Sequence, residues 1–588
     1  MQKLLRNFNI MLWLAAVAGL PKVGAQAASS QEFSSLRFED GVRWAFVQGA
    51  WQEDSQGIVT PPAQAADEHL AFHTARAYGD FEADFEFRWN IQGSDAGFIF
   101  RAQDAQHYYL VHFPCTGQQF RAGHFWAAIS KVDDSGWVKV LKMELVRGVP
   151  SEIGLWHNAR LSVKGREFRL WVDGRPFPVV RDDSYSKPGL VGLQSFNGRD
   201  PGKGTPGVGD PEKRIGAGSS FRRLRIRGKA TRAAVWNAGV EPARAWFYPV
   251  PEPGTGKWQY VSSLAKAPNG ELLLRLLVAE EHLGKSIPVL LRSADRGRTW
   301  SGKQRLPDSL RDGAIHTSRD GRLRMHLIQS QPPFQILAAE SHDNGKTWSE
   351  LSELGKLDFP ERLGVARANV GKVVELKDGT LVRFGYTSGR AAGLHSGQEA
   401  HGRRYLGPIT EADFSFCIRS TDGGQNWSAP VSIDGPNPSP GFLMDAKETA
   451  SEVSAAQTRQ GKILALIRPE SSPWMWETWS GDGGRRWQPA ARGPFPMYAA
   501  TDAMSSTNSG ALLIAGRHPG IAVQLSQDDG ISWQCWRIDT PFYANGATLE
   551  VEPDVVLYVY DGKYSDPRAR AQLLRVTPQG LEPVRNRP

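Results

Sequence analysis

Arginines and carboxylates at the ends of apolar runs are the residues of this chain best suited to chemistry on a polar ligand. Arg468 closes "GKILALIR" and Arg517 closes "GALLIAGR". A guanidinium at such a strand end can grip an anionic group through forked, charge-assisted hydrogen bonds. Arg367 and Asn369 stand before a further apolar stretch, "GTLVRFGY". Asp445, Glu448 and Glu452 lead into the Arg468 run, Asp502 precedes the Arg517 run, and Glu280, Glu281 and His282 follow "LLLRLLVA". Tyr260, Arg275, His316, His518, Tyr543 and Asn545 complete the set. The segment "SSPWMWETW" (Ser471–Trp479), with Trp476 inside it, offers flat rings on which a sugar could stack. A plainer reading stands beside each: a strand-end arginine emerging into solvent, a histidine bonded within a loop, a tryptophan packing a core. Cys115, Cys417 and Cys535 lie far apart and no Cys/His spacing suggests ligands, so no metal and no cofactor are expected.

These residues need a scaffold, and the sequence repeats one. The string S-x-D-x-G-x-x-W occurs as "SADRGRTW" (Ser293–Trp300), "SHDNGKTW" (Ser341–Trp348), "STDGGQNW" (Ser420–Trp427), "SGDGGRRW" (Ser480–Trp487) and "SQDDGISW" (Ser526–Trp533). The motif is a hairpin turn. Its aspartate accepts backbone N–H bonds across the turn, its glycine takes a positive φ, and its tryptophan plugs the gap between strands. Asp295, Asp343, Asp422, Asp482 and Asp528 are therefore structural. A second unit, strand–turn–strand, precedes each box: "APNGELLLRLL", "SRDGRLRMHLI", "LKDGTLVRFGY", "TRQGKILALIR" and "TNSGALLIAGR". A sixth, "VEPDVVLYVYD", has no box after it. Six such units predict a six-bladed β-propeller of four short strands per blade. The first residues of the innermost strands then converge at one face, which brings the residues above together.

Boxes of this kind in most blades resemble the sialidase (neuraminidase) superfamily, from roughly Val240 to the C-terminus. That resemblance implies three arginines clamping a substrate carboxylate, a tyrosine nucleophile activated by a glutamate, and an acid/base carboxylate on a first-blade loop. "SEVSAAQTRQGKILALIR" is similar to the family's Glu-then-Arg segment, giving Glu452 as the tyrosine's partner and Arg468 as a clamp arginine. "SGALLIAGRHPGIAVQLSQDDGISW" gives Arg517 as another. Tyr543 stands at close to the family's spacing before "VVLYVY", and Glu280 stands near the acid/base position. Arg367, Glu448 and Trp476 are further substrate contacts. The segment entering the first blade reads "QYVSSLAKAPNG", with Tyr260 in the region of the family's first arginine, and Tyr543 sits in "FYANGATLE".

From Phe33 to Gly228 the texture differs: alternating apolar residues in "DFEADFEFRWNI", "AGFIFRAQ", "HYYLVHF" and "NARLSVKGREFRLWVDG", without a repeat. Period-two alternation bounded by Gly, Asp and Pro predicts antiparallel strands, and Asp173-Gly174 predicts a hairpin turn. Residues 200–218, rich in Gly and Pro, predict an exposed loop. This half resembles the concanavalin-A-like jelly-rolls, including 3-keto-disaccharide hydrolase and LamG-like modules. A glycan on its concave face and a purely structural role are both open.

The remaining numbers set the frame. A chain of 588 residues needs more than one core. Its 20 tryptophans, 61 glycines and 38 prolines suit short strands and tight turns. Lys3 and Arg6, the apolar run Ile10–Leu20 and Ala25-Gln26-Ala27 form an export signal over residues 1–27. Cleavage there removes three cations and lowers the net charge from +8 to +5. No later window is long and apolar enough to span a bilayer, and no basic stripe suggests nucleic acid. The expectation is thus an all-β, secreted or periplasmic protein: signal 1–27, a jelly-roll β-sandwich over 31–229, and a six-bladed propeller over 240–588. Its expected function is a sialidase-like glycoside hydrolase taking a terminal, acidic sugar from a glycan. A propeller hydrolase or lyase on uronate- or rhamnose-containing polysaccharide, and a non-catalytic glycan-binding protein, are the alternatives.

Overall fold

A computed structural model describes residues 34–36, 44–47, 51–61, 68–91, 93–115, 124–196, 218–233, 245–250, 258–280, 285–319, 321–389, 414–433, 452–468, 474–497, 503–539, 545–561 and 568–585. The expected signal and most of the expected loop at 200–218 fall outside these residues.

The N-terminal part is a β-sandwich organised by one long strand, His69–Trp89. Its first half pairs with Trp44–Val47 and Gly189–Phe196, its second with His157–Lys164 and Ser219–Arg232. The alternation read from sequence is real: Phe81, Ala83, Phe85, Phe87 and Trp89 face a core of stacked rings, with Phe87 on Phe113 at 4.0 Å. Glu82, Asp84 and Glu86 face outward and meet Arg160, Arg227, Arg225 and Arg222. Asp173 and Gly174 both take positive φ (46° and 75°), as a tight hairpin requires.

Residues Trp258 to Val584 form six antiparallel meanders of four strands. Five are free-standing sheets, one fewer than the six separate blades expected. The fifth in chain order (Met504–Ser506, Leu512–Gly516, Ile521–Ser526, Gln534–Asp539) is continuous with the sandwich. Its outer strand pairs with Val138–Leu145, Cys535 opposite Val140 and Arg537 opposite Val138. The exposed edge that a separate blade would present is here used to carry the other domain.

Apolar cores lie between successive meanders: Leu273 and Leu290 with Ile315 and Met325, Ile336 with Phe416 and Ile418, and Phe384 and Cys417 with Ile463. The series continues with Leu464 and Leu466 against Ile514, and with Leu513 and Val523 against Tyr558 and Leu574. Leu557 and Leu573 against Leu274 and Leu276 return it to the first meander.

The five box turns cement this ring. In each, the serine hydroxyl accepts the glycine N–H at 2.7–2.8 Å and donates to the aspartate. The aspartate then accepts the N–H four residues after it. The hydroxyl of Thr347, and next its N–H, hold the Asp343 carboxyl well below the usual carboxylate range. The glycine does more than turn the chain. Gly297 lies at φ 87°, and a methyl placed on it would stand 2.5 Å from Leu557 of the last meander. Each of the other boxes likewise leans on the meander before it: Gly345 on Leu273, Gly424 on His326, Gly484 on Val382, Gly530 on Trp479. The sixth meander lacks a box, and Gly580 in its last hairpin takes that place against Trp536. Gly297→Ala is expected to lower stability by about 1–3 kcal/mol through overpacking and positive φ, measured by urea unfolding. An unchanged midpoint would mean that the turn does not bear on its neighbour.

Candidate functional site

The innermost strands are Trp258–Lys266, Ala314–Thr317, Val365–Glu375, Val453–Gln457, Met504–Ser506 and Gly546–Glu552. They run parallel around the ring axis, so their first residues and the last residues of the second strands share one end, the mouth. The hairpin turns joining first to second strands mark the other end.

At the mouth, Glu452 and Arg468 flank the first two strands of the fourth meander, Val453–Gln457 and Ile463–Ile467. The Arg468 N–H donates to the Glu452 carbonyl at 2.9 Å, and their side chains form an ion pair. Both are partly exposed, at 21% and 14%, so an entering ligand can reach them. Arg517, directly after Leu512–Gly516, is 7% exposed and donates to Asn545 Oδ1 at 3.0 Å. Arg367 is exposed near the start of the third innermost strand, and Glu280 is exposed just after Leu272–Ala279. Tyr260, in the first innermost strand, lies nearly parallel to Trp258 with ring centroids 6.5 Å apart. Tyr543 and Glu448 lie outside the described residues, as do Glu281, His282, Asp445 and Asp502.

One mouth residue was missing from the sequence reading. Asp561 follows Val555–Tyr560 and is 2% exposed. Its carboxylate accepts the N–H of Val261 from the first meander and of Asn545 from the last, the latter at 2.9 Å. Burial pushes its pKa up to about 7, against the lowering effect of those N–H groups and of Arg517. Asp561 fixes Asn545, which in turn holds Arg517. The rule that found Arg468 and Arg517, a polar residue closing a second strand, finds Asp561 when applied to "VVLYVYD".

Several expected contacts are corrected. Trp476 is 2% exposed and packs in the core between the third and fourth meanders. Trp474 is 5% exposed, lies edge-on to Trp126 of the sandwich at 5.3 Å, and is covered by Arg492. Neither offers a face to a sugar, because strand pairing and the second domain cover them. Arg275 is buried and donates to the carbonyls of Leu310 and Arg311 and to Ser262, which makes it a scaffold residue. His316 sits at the far end of its short strand, 3.7 Å from Glu375, away from the mouth. His518 is fully buried against Trp126, and burial pushes its pKa down to about 3, so it stays neutral.

One face of the sandwich, on the strands Asp95–Ala102, Tyr108–Pro114 and Trp126–Val132, also meets the propeller. Asp95 accepts from His112 Nδ1 and Arg537, both at 2.8 Å; His112 Nε2 lies 2.9 Å from Ser130, and Arg537 also reaches Glu68. All of these except Glu68 are nearly or fully buried, so this part of the face is an interdomain contact. Among the described residues no group of three or more His, Cys, Asp or Glu is arranged to hold a metal.

The architecture is thus that of a jelly-roll joined to an Asp-box propeller. Two family models match the chain: a 3-keto-alpha-glucoside-1,2-lyase-like domain over residues 37–227 and a BNR repeat-like domain over residues 314–544. No curated protein matches. Among solved structures, the chain is similar to a protein of unknown function from Dyadobacter fermentans DSM 18053 (17% identity, TM-score 0.42, covering 56% of this chain and 96% of that one). It is similar to the Hadza microbial sialidase Hz136 (13%, 0.41, 86% and 95%). It is also similar to an alpha-L-arabinanase from Penicillium chrysogenum (12%, 0.39, 57% and 97%).

The raised pKa of Asp561 makes stability depend on pH. A carboxyl whose pKa is higher folded than unfolded favours the folded state while protonated. Its contribution is complete below the ordinary value of 3.8 and is lost as pH rises through about 7. Unfolding free energies measured at intervals from pH 4 to 8 should therefore fall less steeply in Asp561→Asn than in the parent. Identical slopes would show that this carboxyl titrates normally.

Proposed function

We propose that the protein is an exported glycoside hydrolase of sialidase type that removes a terminal, acidic sugar from a glycan at the propeller mouth. The observation that carries this reading is the pairing at one end of the ring: Arg468 held by Glu452, and Arg517 held by Asn545 on the adjacent meanders. Guanidiniums braced in this way keep their forks oriented, which favours a carboxylate over a neutral group. In this mechanism Arg468 and Arg517 bind the sugar carboxylate, with Arg367 at the rim. Tyr543, two residues before Asn545 in sequence, attacks the anomeric carbon as its proton passes towards Glu452. Glu280 protonates the leaving oxygen as the glycosidic bond breaks; water, giving a proton to Glu280, then displaces the sugar from Tyr543, which regains its proton from Glu452. Export rests on the N-terminal residues Lys3, Arg6 and Ile10–Leu20, and the six meanders act as one propeller.

A second reading has its own support. Trp258 and Tyr260 present paired rings near the start of the first innermost strand, where the sialidase resemblance implies an arginine. Such a surface suits another sugar, as in a propeller hydrolase or lyase on uronate- or rhamnose-containing polysaccharide. Hydrolysis of a panel of fluorogenic glycosides by the secreted form separates the readings. Release of sialic acid, reduced at least about 100-fold in Arg468→Ala and in Tyr543→Phe, is the expected result. Turnover of another glycoside alone, or ultraviolet absorbance from a new double bond, favours the second reading. Binding without turnover would leave a glycan-capture protein.

A further inference from the structure

A histidine lies wholly inside the seam between the second and third meanders. His326, on the strand Leu323–Ile328, is 0% exposed, and neither of its ring nitrogens has a hydrogen-bond partner. The ring stands edge-on to Trp427 of the third box, with centroids 5.7 Å apart. Its Cε1 would be 3.1 Å from a methyl placed on Gly424, so the box glycine makes room for it. This is the setting of an apolar side chain, and an imidazole fits it only while uncharged.

The charges around the ring act in one sense. Burial holds its pKa well below the ordinary 6.5, and Arg383, His316 and Arg324 add to that effect. These cations come from the facing strand Leu381–Gly389, the innermost strand Ala314–Thr317 and the histidine's own strand. The neighbouring carboxylates are turned towards other groups. Glu340 accepts from Arg324 at 2.6 Å, and Glu375 stands 3.2 Å from Arg319 and 3.7 Å from His316. Asp422 accepts the N–H groups of Gln425 and Asn426 inside its own turn. Arg383, fully buried, crosses the seam: it donates to the Gly371 carbonyl at 2.9 Å and to the His326 carbonyl at 3.1 Å. A proton on the imidazole would set a second cation beside this bridge, with no acceptor at either ring nitrogen.

We propose that this seam is an acid-sensitive joint of the ring: His326 takes a proton from solution, its imidazole leaves the seam, the Arg383 bridge breaks, and the second and third meanders part. No covalent bond changes, and loss of the proton reverses the step. The sign follows from linkage. Above 6.5 the histidine is neutral whether the seam is closed or open. Below it the open form gains the proton, and the opening equilibrium grows by up to about tenfold per pH unit. Asp561 acts in the opposite sense over part of this range, so the effect is read as a difference between parent and variant. The joint does not depend on what the mouth binds.

Urea unfolding of the full chain and of His326→Leu, at intervals from pH 7.5 to 5, tests the proposal. The unfolding constant of the parent should rise with acidity more steeply than that of the variant, by close to tenfold per pH unit below 6. Hydrogen exchange, corrected for its intrinsic pH dependence, gives a second reading on the parent alone. Acid should strip protection from Leu323–Ile328 and Leu381–Gly389 before Ile463–Ile467 and Leu512–Gly516, which flank another seam. Equal pH slopes in parent and variant, or exchange that quickens equally at both seams, overturn the proposal. Should His326→Leu fail to fold, the exchange comparison decides.

Discussion

The ring must close, and the seam between its first and last meanders is where a propeller is weakest, because no chain connection crosses it. Here the seam is closed from several sides. Leu274 and Leu276 share a core with Leu557 and Leu573. Phe247, ahead of the first meander, exchanges both backbone hydrogen bonds with Ala571 at 2.8 and 2.9 Å. Asp561 accepts N–H groups from Val261 in the first innermost strand and from Asn545, just ahead of the last. Because the same carboxyl holds Asn545, and Asn545 holds Arg517, closure of the ring and orientation of a mouth arginine are one arrangement. A carboxyl buried at this point costs desolvation energy, and the N–H groups it receives offset part of that cost.

The second constraint is the joint between domains. Sheet continuity from Gln534–Asp539 to Val138–Leu145 fixes their register. Trp137, 2% exposed, plugs the core between the fifth and sixth meanders and donates to Gln572 at 3.0 Å. Arg537 then bridges to Asp95 and Glu68. An apolar anchor beside buried, paired charges is the composition of a stable interface. The sandwich is therefore built into the side of the propeller, and Asp95 and Glu68 are engaged in that contact.

Local chemistry made much of this legible in the sequence. The box turns are self-contained in eight residues, so Ser, Asp, Gly and Trp announce them wherever they fold. The alternation of His69–Trp89 and the Asp173-Gly174 turn are equally local, and so is the strand-end position of Arg468 and Arg517. What the sequence hid is non-local. Nothing in "QCWRID" says that it pairs with "VKVLKMEL", so the fifth meander could not be seen joining the sandwich. Trp476 has the composition of a sugar platform, and only the neighbouring meander shows that its face is covered. His316 looked like a mouth residue because a short strand gives no sign of which end its polar residue occupies. The partnership of Asp561 with Val261 spans almost the whole propeller and leaves no local trace.

The claim on which the account turns is that Arg468 and Arg517 together receive an anionic sugar. A crystal structure of the protein grown with sialic acid tests this most directly. The account predicts the sugar carboxylate within hydrogen-bonding distance of both guanidiniums, with its anomeric carbon facing Tyr543. A sugar ordered elsewhere, with Arg468 still paired to Glu452 and Arg517 to Asn545, would contradict it.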